Sequence, residues 1–134
     1  MKKILVIDDQ ESGHLILKDM IENPIGGVNK YLECKMYSAY SGQEALNLAR
    51  SEMPDIIIMD INMPDMNGYD TTRYIRKDRE LSSTYIIAVT AQAMLQDRQK
   101  ALDAGCDDYI SKPYDVSILI DHLVKVLGGS NGCD

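Results

Sequence analysis

Residues 54–68 read P-D-I-I-I-M-D-I-N-M-P-D-M-N-G, and this stretch decides the fold of the chain. Residues 55–59 form an apolar run of strand length, which is typical of a strand covered on both faces in a parallel sheet. Asp60 follows at the carboxyl end of that strand, where open α/β sheets bind their ligands. Pro64 and Gly68 predict a tight loop before the next helix. The stretch therefore predicts a buried strand that delivers one acid to a binding edge.

The bulk composition narrows the classes of function. The chain has 134 residues with Lys+Arg 14 and Asp+Glu 21, which gives a net charge of -7. Such a charge disfavours binding to nucleic acid phosphates or to an anionic membrane, and no apolar run reaches the ~18 residues of a membrane span. Cys34, Cys106 and Cys133 are odd in number and form no C-x-x-C pair. We therefore expect a soluble cytoplasmic domain that has neither disulfides nor a zinc site. We expect it to bind neither nucleic acid nor a membrane.

The rest of the chain alternates strand and helix patterns. We predict strands at residues 3–7, 32–38, 55–59, 85–89 and 108–110, and helices near residues 12–22, 42–50, 69–77, 93–104 and 116–127. Five such units with short loops predict a parallel sheet covered by helices on both faces. We expect one domain at residues 1–128 and a flexible C-terminal tail at residues 129–134.

Several helix residues have predicted local roles. Ser41 and Glu44 have the spacing of a capping box at the start of the second helix, and Asp115 is placed to cap the last helix. His14 and His122 lie on helices away from the strand ends. We expect both histidines on the surface and neither as a metal ligand.

The strand ends carry most of the chemistry. Asp8 and Asp9 follow the first strand, Asp60 the third, Thr90 the fourth and Lys112 the fifth. If the first and third strands are neighbours, three carboxylates converge, and they cannot all remain ionised without a positive charge among them. A hard divalent cation such as Mg²⁺ and the ammonium of Lys112 are both candidates for that charge. The pattern predicts a metal held beside a phosphoryl group.

The ordered motifs resemble those of the response-regulator receiver domains of bacterial two-component signalling, over a match from Lys2 to about Leu127. The motifs are Asp8-Asp9, M-D-I-N-M-P-D-M-N-G at residues 59–68, V-T-A at residues 89–91 and Y-I-S-K-P at residues 109–113. The resemblance implies a flavodoxin-like (βα)5 doubly wound parallel sheet of the α/β class with strand order 2-1-3-4-5.

The resemblance also implies the roles of the acidic residues. Asp60 corresponds to the phosphoacceptor, which attacks a phosphohistidine of a sensor histidine kinase or a histidine phosphotransfer protein. Asp9, Asp60 and the backbone carbonyl of Asn62 correspond to ligands of Mg²⁺, and Asp8 acts largely through bound water. Lys112 corresponds to the lysine that pairs with the phosphoryl oxygens.

The remaining matched positions concern the response to phosphorylation. Thr90 and Tyr109 correspond to the switch pair, and Thr90 is also counted among the catalytic residues. The bond between Lys112 and Pro113 corresponds to one that is usually cis, and Ala91 is small, as expected beside an entering phosphoryl group.

The domain would catalyse only its own phosphorylation and dephosphorylation, so it is not expected to be an enzyme.

The partners that the resemblance implies are all proteins. They are the kinase or phosphotransfer protein that donates the phosphoryl group, a downstream target and, as an option, a second copy in a phosphorylation-dependent homodimer. Met1 lies directly before the first strand, so we expect a free-standing protein, with a receiver cut from a hybrid histidine kinase as the alternative. The segment at residues 23–31 is longer than is usual in such domains, and it is either a surface insertion or a partner-recognition element.

Two rival functions come from other classes. A phosphatase of the haloacid dehalogenase type also uses an aspartate nucleophile, but it needs a second aspartate where this chain has Asn62. A flavin- or nucleotide-binding module needs a glycine- or hydroxyl-rich loop after the first strand. Residues 8–11 instead read D-D-Q-E, which would repel a phosphate in the absence of a metal.

Overall fold

A computed structural model describes residues 1–23, 25, 33–63, 67–90, 95–112 and 115–128, except for the side chains of Leu95 and Val116. Its strands are β1 (Lys2–Ile7), β2 (Cys34–Ala39), β3 (Ile56–Asp60), β4 (Tyr85–Thr90) and β5 (Asp108–Ser111). Its helices are α1 (Glu11–Glu22), α2 (Gly42–Glu52), α3 (Gly68–Lys77), α4 (Leu95–Ala104) and α5 (Val116–Gly128). The sheet is parallel with the order β2-β1-β3-β4-β5, so the predicted fold class and strand order are confirmed.

The central strand β3 is buried along its whole length. Ile57 and Met59 belong to one apolar layer, whereas Ile56 and Ile58 belong to the layer on the other face of the sheet. Helices α2, α3 and α4 contribute buried side chains to the first layer, and α1 and α5 contribute them to the second. This two-sided burial explains why β3 reads as an unbroken apolar run.

The strand register brings the carboxyl ends of three strands together. Ile7 of β1 pairs with Met59 of β3, and Asp60 of β3 pairs with Val89 of β4. Because the strands are parallel, the residues that follow these pairs share one edge of the sheet. The candidate site lies at this edge.

The starts of α2 and α5 follow the capping rules. The Ser41 hydroxyl accepts a hydrogen bond from the backbone N–H of Glu44 at 3.1 Å, as predicted. The Glu44 carboxylate accepts from the N–H of Tyr40 at 2.6 Å, one residue earlier than a capping box requires. The Asp115 carboxylate accepts from Ser117 N–H at 2.9 Å, which confirms its capping role, and the hydroxyl of Ser117 lowers the pKa of Asp115.

The surface position predicted for His14 is wrong. Its side chain is only 3% exposed, and its Nε2 lies 2.7 Å from the backbone oxygen of Asp8. Its ring packs against Tyr40 with 4.1 Å between the centroids. His14 shares the inward stripe of α1 with Leu17 and Ile21, and the carbonyl of Asp8 gives the buried imidazole a polar partner.

The outcomes for His122, the cysteines and the long segment differ. His122 is half-buried, and its Nε2 lies 2.7 Å from a carboxylate oxygen of Asp108. Cys34 and Cys106 are buried free thiols, and Cys133 lies outside the described residues. Within the described part of the chain, none of the helices combines the length and the apolarity needed to cross a membrane. Apart from positions 23 and 25, the long segment at residues 23–31 lies outside the description, as does the predicted tail at residues 129–134.

Candidate functional site

Three carboxylates meet at the carboxyl edge of the sheet. Asp8 and Asp9 follow β1, and Asp60 is the last residue of β3. Asp8 and Asp60 are buried, with 5% and 9% exposed, while Asp9 is half-buried. Each residue offers one oxygen, and these oxygens all lie within 4.8 Å of one another. The structure thus brings together the three acids whose convergence the sequence predicted.

Lys112 brings a positive charge to these acids. Its Nζ lies 3.7 Å from Oδ2 of Asp60 and 3.9 Å from Oδ2 of Asp8. Its backbone N–H donates to the carbonyl of Thr90 at 2.7 Å, which fixes the start of the lysine side chain beside β4. When all three acids are ionised, one ammonium leaves the cluster with an excess of negative charge. A divalent cation with oxygen ligands would neutralise that excess.

The electrostatics of Asp60 reflect this crowding. Burial raises the pKa of the Asp60 carboxyl, and the neighbouring carboxylate of Asp8 raises it further. The backbone N–H of Asn62, which donates to Oδ1 of Asp60 at 3.0 Å, and the ammonium of Lys112 act in the opposite direction on the same pKa. The net effect is a raised pKa, so additional positive charge would favour the ionised form.

The first turn of α1 holds Asp8 in place. The backbone N–H of Gln10 donates to Oδ1 of Asp8 at 2.9 Å, and His14 binds the Asp8 carbonyl. A Cβ atom on Gly13 would lie 2.2 Å from Oδ2 of Asp8, so only glycine leaves room for this carboxylate. Gly13 is not among the site residues predicted from sequence, although a glycine inside a helical pattern is a recognisable signal of close packing.

The two predicted switch residues lie on neighbouring strands. Thr90 ends β4 and is 2% exposed, and its hydroxyl accepts a hydrogen bond from the side-chain amide of Asn62 at 3.2 Å. Tyr109 of β5 pairs with Ala88 of β4, is half-buried and packs against the apolar layer under α4. The expectations for Ala91 and for the bond before Pro113 fall on residues outside the description.

An open cleft of about 550 Å³ adjoins the acidic cluster, and it is lined by Asp9, Ile61, Asn62, Met63, Asn67 and Tyr69. Gly68 allows α3 to begin against the end of β3, because a Cβ there would lie 2.8 Å from the Cα of Ile61. Asn67 caps that helix by accepting from the backbone N–H of Asp70 at 2.9 Å. The cleft opens the Asp9 side of the acidic cluster to solvent.

Comparisons with known proteins agree with this geometry. A sequence model of the family described as the response regulator receiver domain matches residues 4–124. The chain is 36% identical to the polar-differentiation response regulator DivK of Brucella ovis over 127 residues. The aligned residues cover 95% of this chain and 97% of that protein. A protein of the same name from Brucella anthropi is 35% identical over the same length.

Solved structures give the same result. The receiver domain of a sensor histidine kinase from Pseudomonas aeruginosa is 28% identical to this chain, with a TM-score of 0.82. The match covers 96% of this chain and 98% of that one. That structure has a magnesium ion coordinated in its active-site cleft. The Vibrio cholerae chemotaxis protein CheY4 is 25% identical with a TM-score of 0.81 and covers 94% and 98%. This chain belongs to the response regulator receiver domain family.

Proposed function

We propose that this receiver domain accepts a phosphoryl group on Asp60 from a histidine kinase or a histidine phosphotransfer protein. The observation that carries the proposal is the placement of a buried carboxylate beside two further acids and 3.7 Å from the Lys112 ammonium. Asp9 of the same cluster lines the open cleft, and the Lys112 ammonium supplies a cation for the incoming charge. Phosphoryl transfer depends mainly on such positioning and on electrostatic stabilisation.

The transfer step uses the Asp60 carboxylate as nucleophile. One carboxylate oxygen forms a bond to phosphorus as the N–P bond of the donor's phosphohistidine breaks, and the electron pair of that bond returns to the imidazole. Lys112 neutralises part of the charge on the transferred phosphoryl oxygens. Since the domain modifies its own side chain, we class it as a phosphoprotein and not as an enzyme.

The donor atoms suit Mg²⁺. In our proposal Asp9, Asp60 and the backbone carbonyl of Asn62 hold the ion, and Asp8 acts through bound water. These are oxygen ligands with an excess of negative charge, the combination that Mg²⁺ prefers. When bound, the ion supplies charge neutralisation for the phosphoryl oxygens. The magnesium in the cleft of the Pseudomonas aeruginosa receiver supports this assignment.

We further propose that phosphorylation switches a protein-binding surface. Thr90 and Tyr109 lie on the strands that flank α4, so movement of either side chain reaches that helix. The partner is a downstream protein or a second phosphorylated copy. The buried free thiols Cys34 and Cys106 fit a reducing compartment, which supports a cytoplasmic location.

Small-molecule phosphodonors test the proposal without knowledge of the kinase. With Mg²⁺ and acetyl phosphate, the protein should gain one acid-stable and base-labile phosphoryl group, and Asp60→Asn should gain none. Asp70→Asn is the matched control, because Asp70 is exposed on α3 and pairs with Arg73. Equal labelling of Asp60→Asn and wild type would overturn the proposal.

A further inference from the structure

We infer that the side chain of Asn62 is a positioning element that restrains Thr90 in the resting state and has to release it when Asp60 is phosphorylated. The inference rests on the proposed function, because it concerns the same phosphoacceptor and the same switch residue. It gives the Asn62 side chain a role separate from that of its backbone carbonyl, which is proposed to bind the metal.

Asn62 contacts the phosphoacceptor and the switch residue at once. Its backbone N–H donates to Oδ1 of Asp60 at 3.0 Å, and its side-chain Nδ2 donates to Oγ1 of Thr90 at 3.2 Å. The loop after β3 therefore fixes one end of Asn62 on the carboxylate that receives the phosphoryl group. The side-chain amide of Asn62 holds the Thr90 hydroxyl, which is the group expected to move on phosphorylation.

The backbone at Thr90 is held on both sides by neighbouring strands. The carbonyl of Val89 accepts from the N–H of Ile61 at 3.0 Å, and the carbonyl of Thr90 accepts from the N–H of Lys112 at 2.7 Å. Large backbone movement at Thr90 would break these bonds. Rotation of the Thr90 side chain about χ1 keeps them, so it is the lower-energy route for bringing the hydroxyl to a new partner.

Rotation toward a phosphoryl group on Asp60 breaks the bond from Asn62. An intramolecular hydrogen bond of ordinary strength biases such an equilibrium by about fivefold. Because Asn62 is exposed, water competes for its amide, and we expect a bias of roughly two- to fivefold. Removing the donor should shift the resting protein toward the switched arrangement by the same factor.

The test uses the full chain and beryllofluoride with Mg²⁺ as a phosphoryl mimic, read by NMR. Asn62→Leu removes the donor while keeping the number and the branching of the side-chain heavy atoms. Its Thr90 and Tyr109 signals, before any beryllofluoride is added, should move toward their wild-type beryllofluoride-bound positions. The half-saturating beryllofluoride concentration should fall roughly two- to fivefold. Asn47→Leu on the exposed face of α2 is the matched control and should match wild type in both readouts.

A double-mutant cycle separates this role from a general effect on the loop. In a Thr90→Val background the hydroxyl acceptor is gone, so Asn62→Leu should no longer change the half-saturating concentration. An effect of Asn62 through the metal or through loop stability would remain in that background. Equal effects of Asn62→Leu with and without the Thr90 hydroxyl would therefore overturn the inference.

The other outcomes are also decisive. Failure of the wild type to bind beryllofluoride at Asp60 would overturn the proposed function itself. If the wild type binds beryllofluoride but Asn62→Leu binds it with equal or lower affinity, only the inference about Asn62 is overturned. If Asn62→Leu does not fold, the side-chain amide signals of Asn62 in Thr90→Val decide. They should shift from their wild-type positions without beryllofluoride, and unchanged signals would contradict the restraint.

Discussion

The ammonium nitrogen of Lys112 lies 3.7 Å from a carboxylate oxygen of Asp60, although Asp60 ends β3, Lys112 follows β5, and β4 lies between these two strands. The lysine thus reaches across the end of an intervening strand to a buried acid. An exposed ion pair contributes little to stability, and Lys112 is 38% exposed. The pair is therefore better explained by the charge it presents to an incoming anion than by fold stability.

Replacing Asp60 should change stability in a pH-dependent way. Its pKa is raised in the folded state, so the folded protein binds this proton more tightly than the unfolded chain. Ionisation of Asp60 then lowers stability as pH rises from its unfolded pKa through its folded pKa. Without Mg²⁺, we expect Asp60→Asn to be more stable than wild type at neutral pH, with the difference shrinking as pH falls through the folded pKa of Asp60 and lost below its unfolded pKa of ~4.

Urea unfolding at neutral and acidic pH measures this effect. Asp70→Asn provides the control, because Asp70 is exposed and its carboxylate pairs only with surface groups among the described residues. A wild type that is more stable than Asp60→Asn at neutral pH in the absence of Mg²⁺ would contradict the expectation. Added Mg²⁺ should stabilise wild type more than Asp60→Asn, because it binds the ionised site.

Gly13→Ala should weaken Mg²⁺ binding. The new Cβ would lie 2.2 Å from Oδ2 of Asp8, so the carboxylate has to leave its present position beside Lys112. We expect an affinity loss of about tenfold, the lower end for disturbed residues around metal ligands, measured by calorimetric titration. Ser12→Ala on the adjacent exposed position is the control, and equal affinities of the two variants would argue against a spatial role for Gly13.

Arg76 joins α3 to the far end of α4. Its guanidinium donates to the carbonyls of Gly105 at 2.8 Å and Thr84 at 2.6 Å, and to the carboxylate of Asp107 at 2.7 Å. Arg76→Ala leaves these acceptors without the arginine, and we expect it to lower the free energy of unfolding by roughly 2–3 kcal/mol.

The control for Arg76 lies on the same helix. Arg73 is exposed and pairs with Asp70 one turn away, so Arg73→Ala should change stability by at most about 0.5 kcal/mol. Urea denaturation of both variants gives the comparison. Similar losses for the two would show that the Arg76 contacts add nothing beyond an ordinary surface pair.

The fold could be predicted from sequence because burial on both faces leaves a direct trace in the hydrophobic pattern. The run at residues 55–59 fixed the central strand, and the polar residues at the strand ends followed from it. Asp8, Asp60 and Lys112 could then be placed at one edge by the topology of parallel sheets. This reasoning needs only the chain order and no knowledge of side-chain conformations.

Contacts that depend on side-chain conformation were not predictable. The hydrogen bond from Asn62 to Thr90 joins residues of different strand ends, and nothing local in the sequence specifies it. The position of His14 on a helix away from the strand ends predicts a surface residue, but the side chain is buried and a backbone carbonyl in the interior partners its Nε2. The contacts of Arg76 leave no pattern in the sequence, because its acceptors are mostly backbone carbonyls, which every residue type carries.

The outer face of α4 should form part of the phosphorylation-sensitive surface. Among its described side chains Ala101 and Ala104 are buried, whereas Leu102 is 40% exposed. Small buried side chains hold a helix weakly, so α4 is an element that can shift at low cost. Its exposed polar side chains are Gln96, Arg98, Gln99, Lys100 and Asp103.

A charge reversal on α4 tests this role. Arg98→Glu with Lys100→Glu should leave labelling of Asp60 by acetyl phosphate nearly intact while reducing, by about tenfold or more, binding of the phosphorylated form to its target or to itself. Lys77→Glu with Arg79→Glu reverses two exposed charges at the end of α3 and should reduce neither. Loss of labelling and binding together, or of neither, would place the output surface elsewhere.

Chemical mapping of the phosphoryl group is the most direct test of Asp60 as phosphoacceptor. Borohydride reduces an aspartyl phosphate to homoserine and leaves free carboxylates unchanged, so mass spectrometry of the digested protein identifies the modified residue. After incubation with acetyl phosphate and Mg²⁺, we expect homoserine at position 60 and aspartate at positions 8 and 9. Homoserine at either of those two positions, or phosphorylated protein with unmodified Asp60, would contradict the assignment.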